Sequence, residues 1–240
     1  MAIENLEKST EIIEKDNLTQ DEEIKRNLYL RKLLTGEVYG PLTNVPNIDK
    51  EWLVNYSTED IESCVVPKET MYSYVLKNNL DNLNAVALSY FGNDYTYRDV
   101  FGDGKEDTGL IGQCADALLK KGIKSDDRVT VIMPSMPEAY IMVYALNKIG
   151  AVASMVHPLK SENEIKRSIN GVRAKMVLTI DSSYNKVKNI INSTTAKDKD
   201  VIVASPENSM PTMLKVGYKL SGKSVKLNKK DDFVTWKKFM

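Results

Sequence analysis

Between Asp126 and Leu159 the spacing of apolar residues switches from the period of a strand to that of a helix and back. Val129, Val131 and Met133 stand in a short apolar run. Ser135 is placed to cap the next helix, and Glu138 follows at the position of the reciprocal capping-box bond. Pro137 falls in the first turn, where its missing N–H would have had no helical partner. From Glu138 to Lys148 the helix is apolar almost all round, which is expected when it is covered on most sides. Gly150 supplies a positive-φ stop. Ala151 to Val156 then runs without alternation, as a strand buried on both faces should. The stretch predicts a βαβ unit inside a parallel sheet.

The same pattern extends in both directions. Upstream, Thr70 to Asn78 predicts a short helix, and Ala85 to Tyr90 a strand. Gly92 and Asn93 are turn formers, and Tyr95 to Tyr97 return as the second arm of an antiparallel hairpin. Gly102, Gly104 and Gly109 each penalise a helix by about 1 kcal/mol relative to alanine, so the next helix is expected to begin near Thr108. It is clear from Ile111 to Lys121, with Ile111, Ala115, Leu118 and Leu119 on one face and Gly122 closing it. Downstream, Ser161 and Glu164 form a second capping box on a helix that runs to Asn170 and stops at Gly171. Met176 to Ile180 is a strand, Tyr184 to Ser193 a helix with Val187, Ile190 and Ile191 inward, and Val201 to Ala204 a strand. Strands thus recur roughly every 22–25 residues with one helix between them, the spacing of a right-handed parallel α/β layer. The expected fold class is α/β, a parallel sheet flanked by helices with a small antiparallel hairpin.

The two ends read differently. Residues up to about Arg31 are rich in Glu and Lys with sparse apolar contacts such as Ile12, Ile24 and Leu28, and read as helix or partly ordered lead-in. The run from Gly36 to Lys50 holds Gly40, Pro41 and Pro46, which mark irregular structure, and Trp52, Leu53 and Tyr56 are expected to pin this arm. Toward the other end, Lys215, Lys219, Lys223, Lys226, Lys229 and Lys230 make a basic, turn-rich stretch. No aromatic interleaving accompanies the lysines, so a solvated surface is the expected reading. Phe233, Trp236 and Phe239 follow as an aromatic stripe.

Composition narrows the function classes. The 240 residues can bury a real core, as one large or two small domains. Acidic and basic residues balance at 33 each, so bulk charge argues for neither nucleic acid nor an anionic membrane as partner. Cys64 and Cys114 lack metal-ligand spacing, and Cys114 reads as a buried small hydrophobe. MAIENLEKST is charged and lacks the apolar run of a signal peptide, which makes the cytoplasm the expected location. Tyr140 to Leu146, the longest apolar stretch, is too short to span a bilayer.

Several linked segments resemble the adenylate-forming superfamily, which includes acyl-CoA and aryl-CoA synthetases, luciferases and the adenylation domains of peptide synthetases. Its opening Tyr-x-acid segment is answered by Thr96, Tyr97, Arg98, Asp99 and Val100. Its Gly-Ile turn, Pro-x-x-Pro-Glu helix start and Lys-x-Gly-Ala-Val strand are answered in order by Gly122, Ile123, Asp127, Val129, Pro134, Pro137, Glu138, Lys148, Gly150, Ala151, Val152, Pro158 and Leu159. The leading arm resembles that of the family through Pro46, Ile48, Asp49, Lys50, Trp52 and Leu53. Phe233, Trp236 and Phe239 resemble the segment with which relatives enter their nucleotide-binding loop. The match implies an amino-terminal arm and connecting segment over 1–69. Residues 70–240 would be an α/β subdomain of the AMP-binding domain, incomplete at its carboxyl end and truncated before that loop.

The implied parent is an ATP-dependent acyl-CoA synthetase-like ligase. Such an enzyme converts a carboxylate and ATP to an acyl-adenylate and then forms a thioester with CoA, using Mg²⁺. The rest of its own chain would pack on these residues. No GxxxxGK[ST] occurs, and Gly102 to Gly104 is not a Rossmann fingerprint. The chain by itself is therefore expected to be inactive and to bind none of these groups firmly, with no catalytic residue and no metal ligand assigned. His157, at the carboxyl end of a parallel strand, is a candidate substrate contact, with a polar strand terminus as the bland reading. In acetyl-CoA synthetases an arginine pair on the next helix meets a CoA phosphate. Asn185 and Lys188 match that pair and Lys186 is adjacent, so Lys186 and Lys188 are candidate CoA-phosphate contacts, against a solvent-facing helix side. Two rival functions are a peptide-synthetase-type adenylation domain loading a carrier protein and a non-catalytic α/β binding module. Without the remainder, an exposed apolar patch or an unpaired sheet edge is expected.

Overall fold

The structure is a computed structural model, and it describes residues 67–105, 108–220, 227–228 and 231–240. The leading helix, the Gly36–Lys50 run, Trp52, Leu53, Tyr56, Cys64, Lys223, Lys226, Lys229 and Lys230 lie outside the described residues. In chain order the elements are α1 (Met71–Lys77), β1 (Val86–Tyr90), β2 (Asn93–Thr96), α2 (Tyr97–Phe101) and α3 (Leu110–Lys120), then β3 (Arg128–Ile132), α4 (Pro137–Lys148) and β4 (Val152–Val156). They continue with α5 (Glu162–Gly171), β5 (Met176–Ile180), α6 (Tyr184–Ile190), β6 (Val201–Ala204), α7 (Thr212–Leu220), β7 (Val234–Thr235) and α8 (Trp236–Phe239). β3 to β7 form one parallel sheet in the order β4-β3-β5-β6-β7, and β1 pairs with β2 as a separate antiparallel hairpin.

Period-two alternation along the strands divides the core into two layers. Val129, Val131, Met176, Leu178, Ile180 and Ile202 point to one side, where α3 and α4 contribute Ile111, Cys114, Leu118, Met142 and Leu146. Ile132, Val177, Val201 and Val203 point to the other, against Ile165 and Ile169 of α5 and Val187 and Ile190 of α6. Helices therefore cover both faces, as right-handed crossovers in a parallel sheet require. Cys114 is fully buried, and burial pushes its thiol far above the usual range, so it packs as a small hydrophobe.

Several local expectations are corrected. α4 is capped by Met136 with no side-chain bond, because Met136 is buried at the N-cap while Glu138 turns inward to meet Ser209; Ser135 stays exposed. β4 is not buried on both faces, since it ends the sheet among the described residues and leaves Val152 and Met155 about half exposed. The expected exposed apolar surface is thus present at that edge. Leu119 faces solvent, and Cys114 takes the inward position beside Ile111, Ala115 and Leu118. Both bonds of the Ser161–Glu164 capping box form, but the left-handed residue ending α5 is Arg173 (φ 52°), not Gly171. Ala174 N–H reaches back to Ile169 O at 3.0 Å, and that bond fixes the turn past the helix end.

The hairpin turns at Phe91 and Gly92, both at positive φ, so Asn93 opens β2 instead of sitting in the turn. Tyr97 begins α2, where Thr96 and Asp99 form a capping box with bonds of 2.8 and 3.2 Å. The aromatic stripe is split by β7, a strand the apolar pattern did not predict. Phe233 packs edge-on against Tyr184 in one layer, whereas Trp236 and Phe239 join the core of the other.

Candidate functional site

Strand order locates a crevice. β3 leads into α4 on one face of the sheet, whereas its neighbour β5 leads into α6 on the other. Helices that leave adjacent parallel strands to opposite faces open a gap at the strands' carboxyl ends, where doubly wound sheets place ligands. The residues around that gap are acidic. Glu138 lies in the first turn of α4 and is 1 % exposed, and Asp181 follows β5 directly and is 4 % exposed. Glu207 and Ser209 come from the segment after β6.

Glu138 Oε1 accepts a hydrogen bond from Ser209 Oγ at 2.7 Å, and Asn93 Nδ2 donates to Ser209 O at 3.0 Å. Hairpin, α4 and the post-β6 segment are thereby joined at one residue. Glu138 Oε2 and Asp181 Oδ2 are buried with no hydrogen-bond partner among the described residues. Burial raises the Glu138 carboxyl above its ordinary range. Burial does the same at Asp181, and the charge of Glu207 adds to it. Tyr90 and Tyr218 are also raised, first by burial and then by these carboxyls, so both rings lie within electrostatic reach of the cluster. Lys219 Nζ approaches Glu207 Oε2 at 3.7 Å, an ion-pair distance beyond hydrogen-bond reach.

Of the three residues singled out by sequence, Lys186 reaches the turn that begins at His157, whereas Lys188 pairs elsewhere, with Asp231. His157 lies just after β4 and is exposed, and its Nδ1 accepts from Leu159 N–H at 3.2 Å within the turn. Lys186 Nζ donates to the carbonyls of Pro158 and Lys160 at 3.2 and 3.0 Å, clamping the loop between β4 and α5 onto α6. Lys188 Nζ pairs with Asp231 Oδ2 at 3.0 Å, and Tyr184 Oη donates to the same oxygen. That bond to Asp231 holds Lys188 above its usual range, and bonds from Tyr184 and Lys188 hold Asp231 below its own. Both lysines serve the packing of α6.

The acid cluster went unread because Glu138 was assigned to a cap. A legible signal existed in Asp181 and Glu207, which stand directly beyond two continuous apolar strands. Burial thus disfavours the charged form of Glu138 and of Asp181. Phosphate oxygens are cradled by fixed N–H donors or cations, which these carboxyls do not supply. Among the described residues no three His, Cys, Asp or Glu side chains converge as metal ligands.

Comparison with known proteins decides the family. The profile described as "AMP-binding enzyme" matches residues 77–235, from the last residue of α1 through β7. The chain belongs to the AMP-binding enzyme family. Within that family it is similar to a long-chain-fatty-acid–CoA ligase of Bacillus subtilis, 22 % identical over 174 residues that cover 72 % of this chain and 30 % of the relative. It is also similar to an acetyl-coenzyme A synthetase of Deinococcus radiodurans, 34 % identical over 39 % of this chain and 13 % of the relative. Among solved structures, a coronafacic acid ligase from Pectobacterium brasiliense superposes with a TM-score of 0.53 at 21 % identity, covering 71 % of this chain and 29 % of that one. An anthranilate CoA ligase solved with anthranoyl-AMP gives a TM-score of 0.50 at 18 % identity, covering 57 % and 25 %. Both structural likenesses bear on the fold. The chain therefore spans less than a third of the length of these curated AMP-binding relatives.

Proposed function

We propose that these residues are the amino-terminal portion of an ATP-dependent acyl-CoA synthetase-like ligase. That enzyme would join a carboxylate to AMP with release of pyrophosphate and then pass the acyl group to the sulfur of CoA. The observation that carries the reading is the AMP-binding profile over 77–235, together with relatives named as CoA ligases and a CoA synthetase. The role of the described residues is scaffolding. The βαβ unit of β3, α4 and β4 supplies a rigid parallel edge against which the remaining residues of such an enzyme would be organised.

Charge stabilisation at a transferring phosphorus centre needs cations or N–H donors fixed around it and a metal held by acidic ligands. Burial disfavours the charged form of the switch-point acids Glu138 and Asp181, and Lys186 and Lys188 are committed to Pro158, Lys160 and Asp231. The 240 residues alone are accordingly proposed to be inactive, with ATP, Mg²⁺ and CoA binding completed by further residues. Lys186 and Lys188 remain the positions at which a CoA phosphate would meet positive charge, and each would have to give up its present partner to do so. His157 would serve a substrate in the same way, by releasing Leu159 N–H.

The test is product analysis by mass spectrometry of a longer protein carrying these residues, supplied with ATP, Mg²⁺, CoA and a panel of carboxylic acids. An acyl-CoA product supports the reading. Acyl transfer only to a carrier protein's phosphopantetheine favours a peptide-synthetase-type domain. No product with any acid, and no nucleotide binding by calorimetry, favours a binding module.

A further inference from the structure

An open cleft of about 330 Å³ lies between α3 and the end of the described chain. Gln113, Ala117, Lys120 and Lys121 line it from one side of α3, where helical spacing sets them in a row. Val234 of β7, Lys238 and Phe239 of α8, and Met240 form the other wall. Ala117 and Val234 are half-buried and Phe239 is buried, whereas the three lysines are exposed, so the cleft has an apolar base and a cationic rim. Its volume is at the lower end of the range in which small ligands are held.

The rim is not neutralised. Among the described residues no Asp or Glu lines the cleft. Lys120 and Lys238 form no ion pair among the described residues. Lys121 Nζ donates to the carbonyl of Lys199 at 3.2 Å, which leaves its charge without a counter-ion. An apolar base alone would suit a neutral hydrocarbon, and lysines alone a free inorganic anion. Together they fit a small amphiphile whose headgroup meets the lysines while its body covers Ala117, Val234 and Phe239. A phosphate monoester carries a charge of about −1.5 to −2 at neutral pH, so it matches three point-charge lysines better than a monovalent carboxylate does. We propose that this cleft is a binding site for a small alkyl or aryl phosphate monoester. Lys121 follows α3 and meets Lys199 just before β6, so the rim lies toward the amino ends of the strands, away from the switch-point crevice at their carboxyl ends. The inference stands independently of the ligase reading.

The test is calorimetric titration of the 240-residue chain at low salt with octyl phosphate below its micelle concentration, beside inorganic phosphate and neutral octyl glucoside. Octyl phosphate is expected to bind once per chain, at least about tenfold more tightly than either control. K120Q/K238Q should weaken it by about tenfold or more, and A117E, which sets bulk and negative charge on the base, should abolish it. Melting curves check that both variants keep the fold, and the exposed lysine pair provides the test if A117E does not. No binding of octyl phosphate, equal binding of either control, or binding that K120Q/K238Q leaves unchanged would each overturn the proposal. Binding by the 240 residues that is lost in a longer protein containing them would assign the cleft to residues after Met240 and equally overturn it.

Discussion

Replacing Glu138 by glutamine should stabilise the protein above neutral pH and do little in acid. The wild-type carboxyl is 1 % exposed, with Oε1 held by Ser209 and Oε2 without a partner among the described residues. Its position in the first turn of α4 favours the anion through the helix dipole, but burial outweighs that and the pKa is raised. A carboxyl whose folded pKa lies above its unfolded value contributes stability that is complete below the unfolded pKa and is lost as pH rises through the folded one. At pH 8 the wild type must therefore either ionise a buried, half-satisfied group or keep its proton against the solvent. Glutamine retains an acceptor for Ser209 and carries no charge. Leaving a buried polar group unsatisfied costs about 1–3 kcal/mol, more when it is charged. The E138Q gain at pH 8 should be of that size, about 2–12 °C in melting temperature for a chain of this length. Calorimetric melts of both proteins at pH 5 and pH 8 measure it. A variant less stable than wild type by the same amount at both pH values would refute the reasoning, because it would mean that the carboxylate is ionised and partnered in the fold.

Three further substitutions probe the scaffold. T130V should raise stability by about 1–2 kcal/mol in urea unfolding, because the Thr130 hydroxyl is buried without a partner among the described residues and valine keeps its shape. A loss would mean that the hydroxyl is bonded. G150A should lower stability by about 1–2 kcal/mol, since Gly150 sits at φ +74° and an added Cβ would stand 2.8 Å from Ser125 Oγ. A neutral result would show that this turn relaxes. S161A removes the Ser161 hydroxyl that accepts from Glu164 N–H and donates to Glu164 Oε2, while the backbone bond from position 161 N–H to Glu164 remains possible, with an expected loss of about 1 kcal/mol on denaturant titration. An unchanged midpoint would mean that the cap contributes nothing net.

The sheet was legible where burial is symmetric. β5 and β6 lie where their continuous apolar runs placed them, because each has a strand on both sides and a helix layer on both faces. β4 has the same kind of sequence but ends the sheet, and a run of apolar residues does not encode which neighbour is missing. Capping was legible where only local chemistry acts, as at Ser161 with Glu164. It misled at Ser135, because Glu138 instead accepts a long-range hydrogen bond from Ser209, 71 positions away. The acid cluster was illegible for the same reason. Asp181 comes near Glu207, and Glu138 meets Ser209, only through the order of the strands, which pattern alone does not determine. Lys186 and Lys188 read as free cations because their partners, two carbonyls and Asp231, are tertiary.

The most direct test of the central claim is ATP–pyrophosphate exchange, measured for the 240-residue chain and for a longer protein that contains it, across the same carboxylic acids. Exchange that depends on the acid in the longer protein, with none in the 240 residues, is the expected result. Exchange catalysed by the 240 residues alone would contradict the account, because the account assigns the phosphate and metal site to further residues.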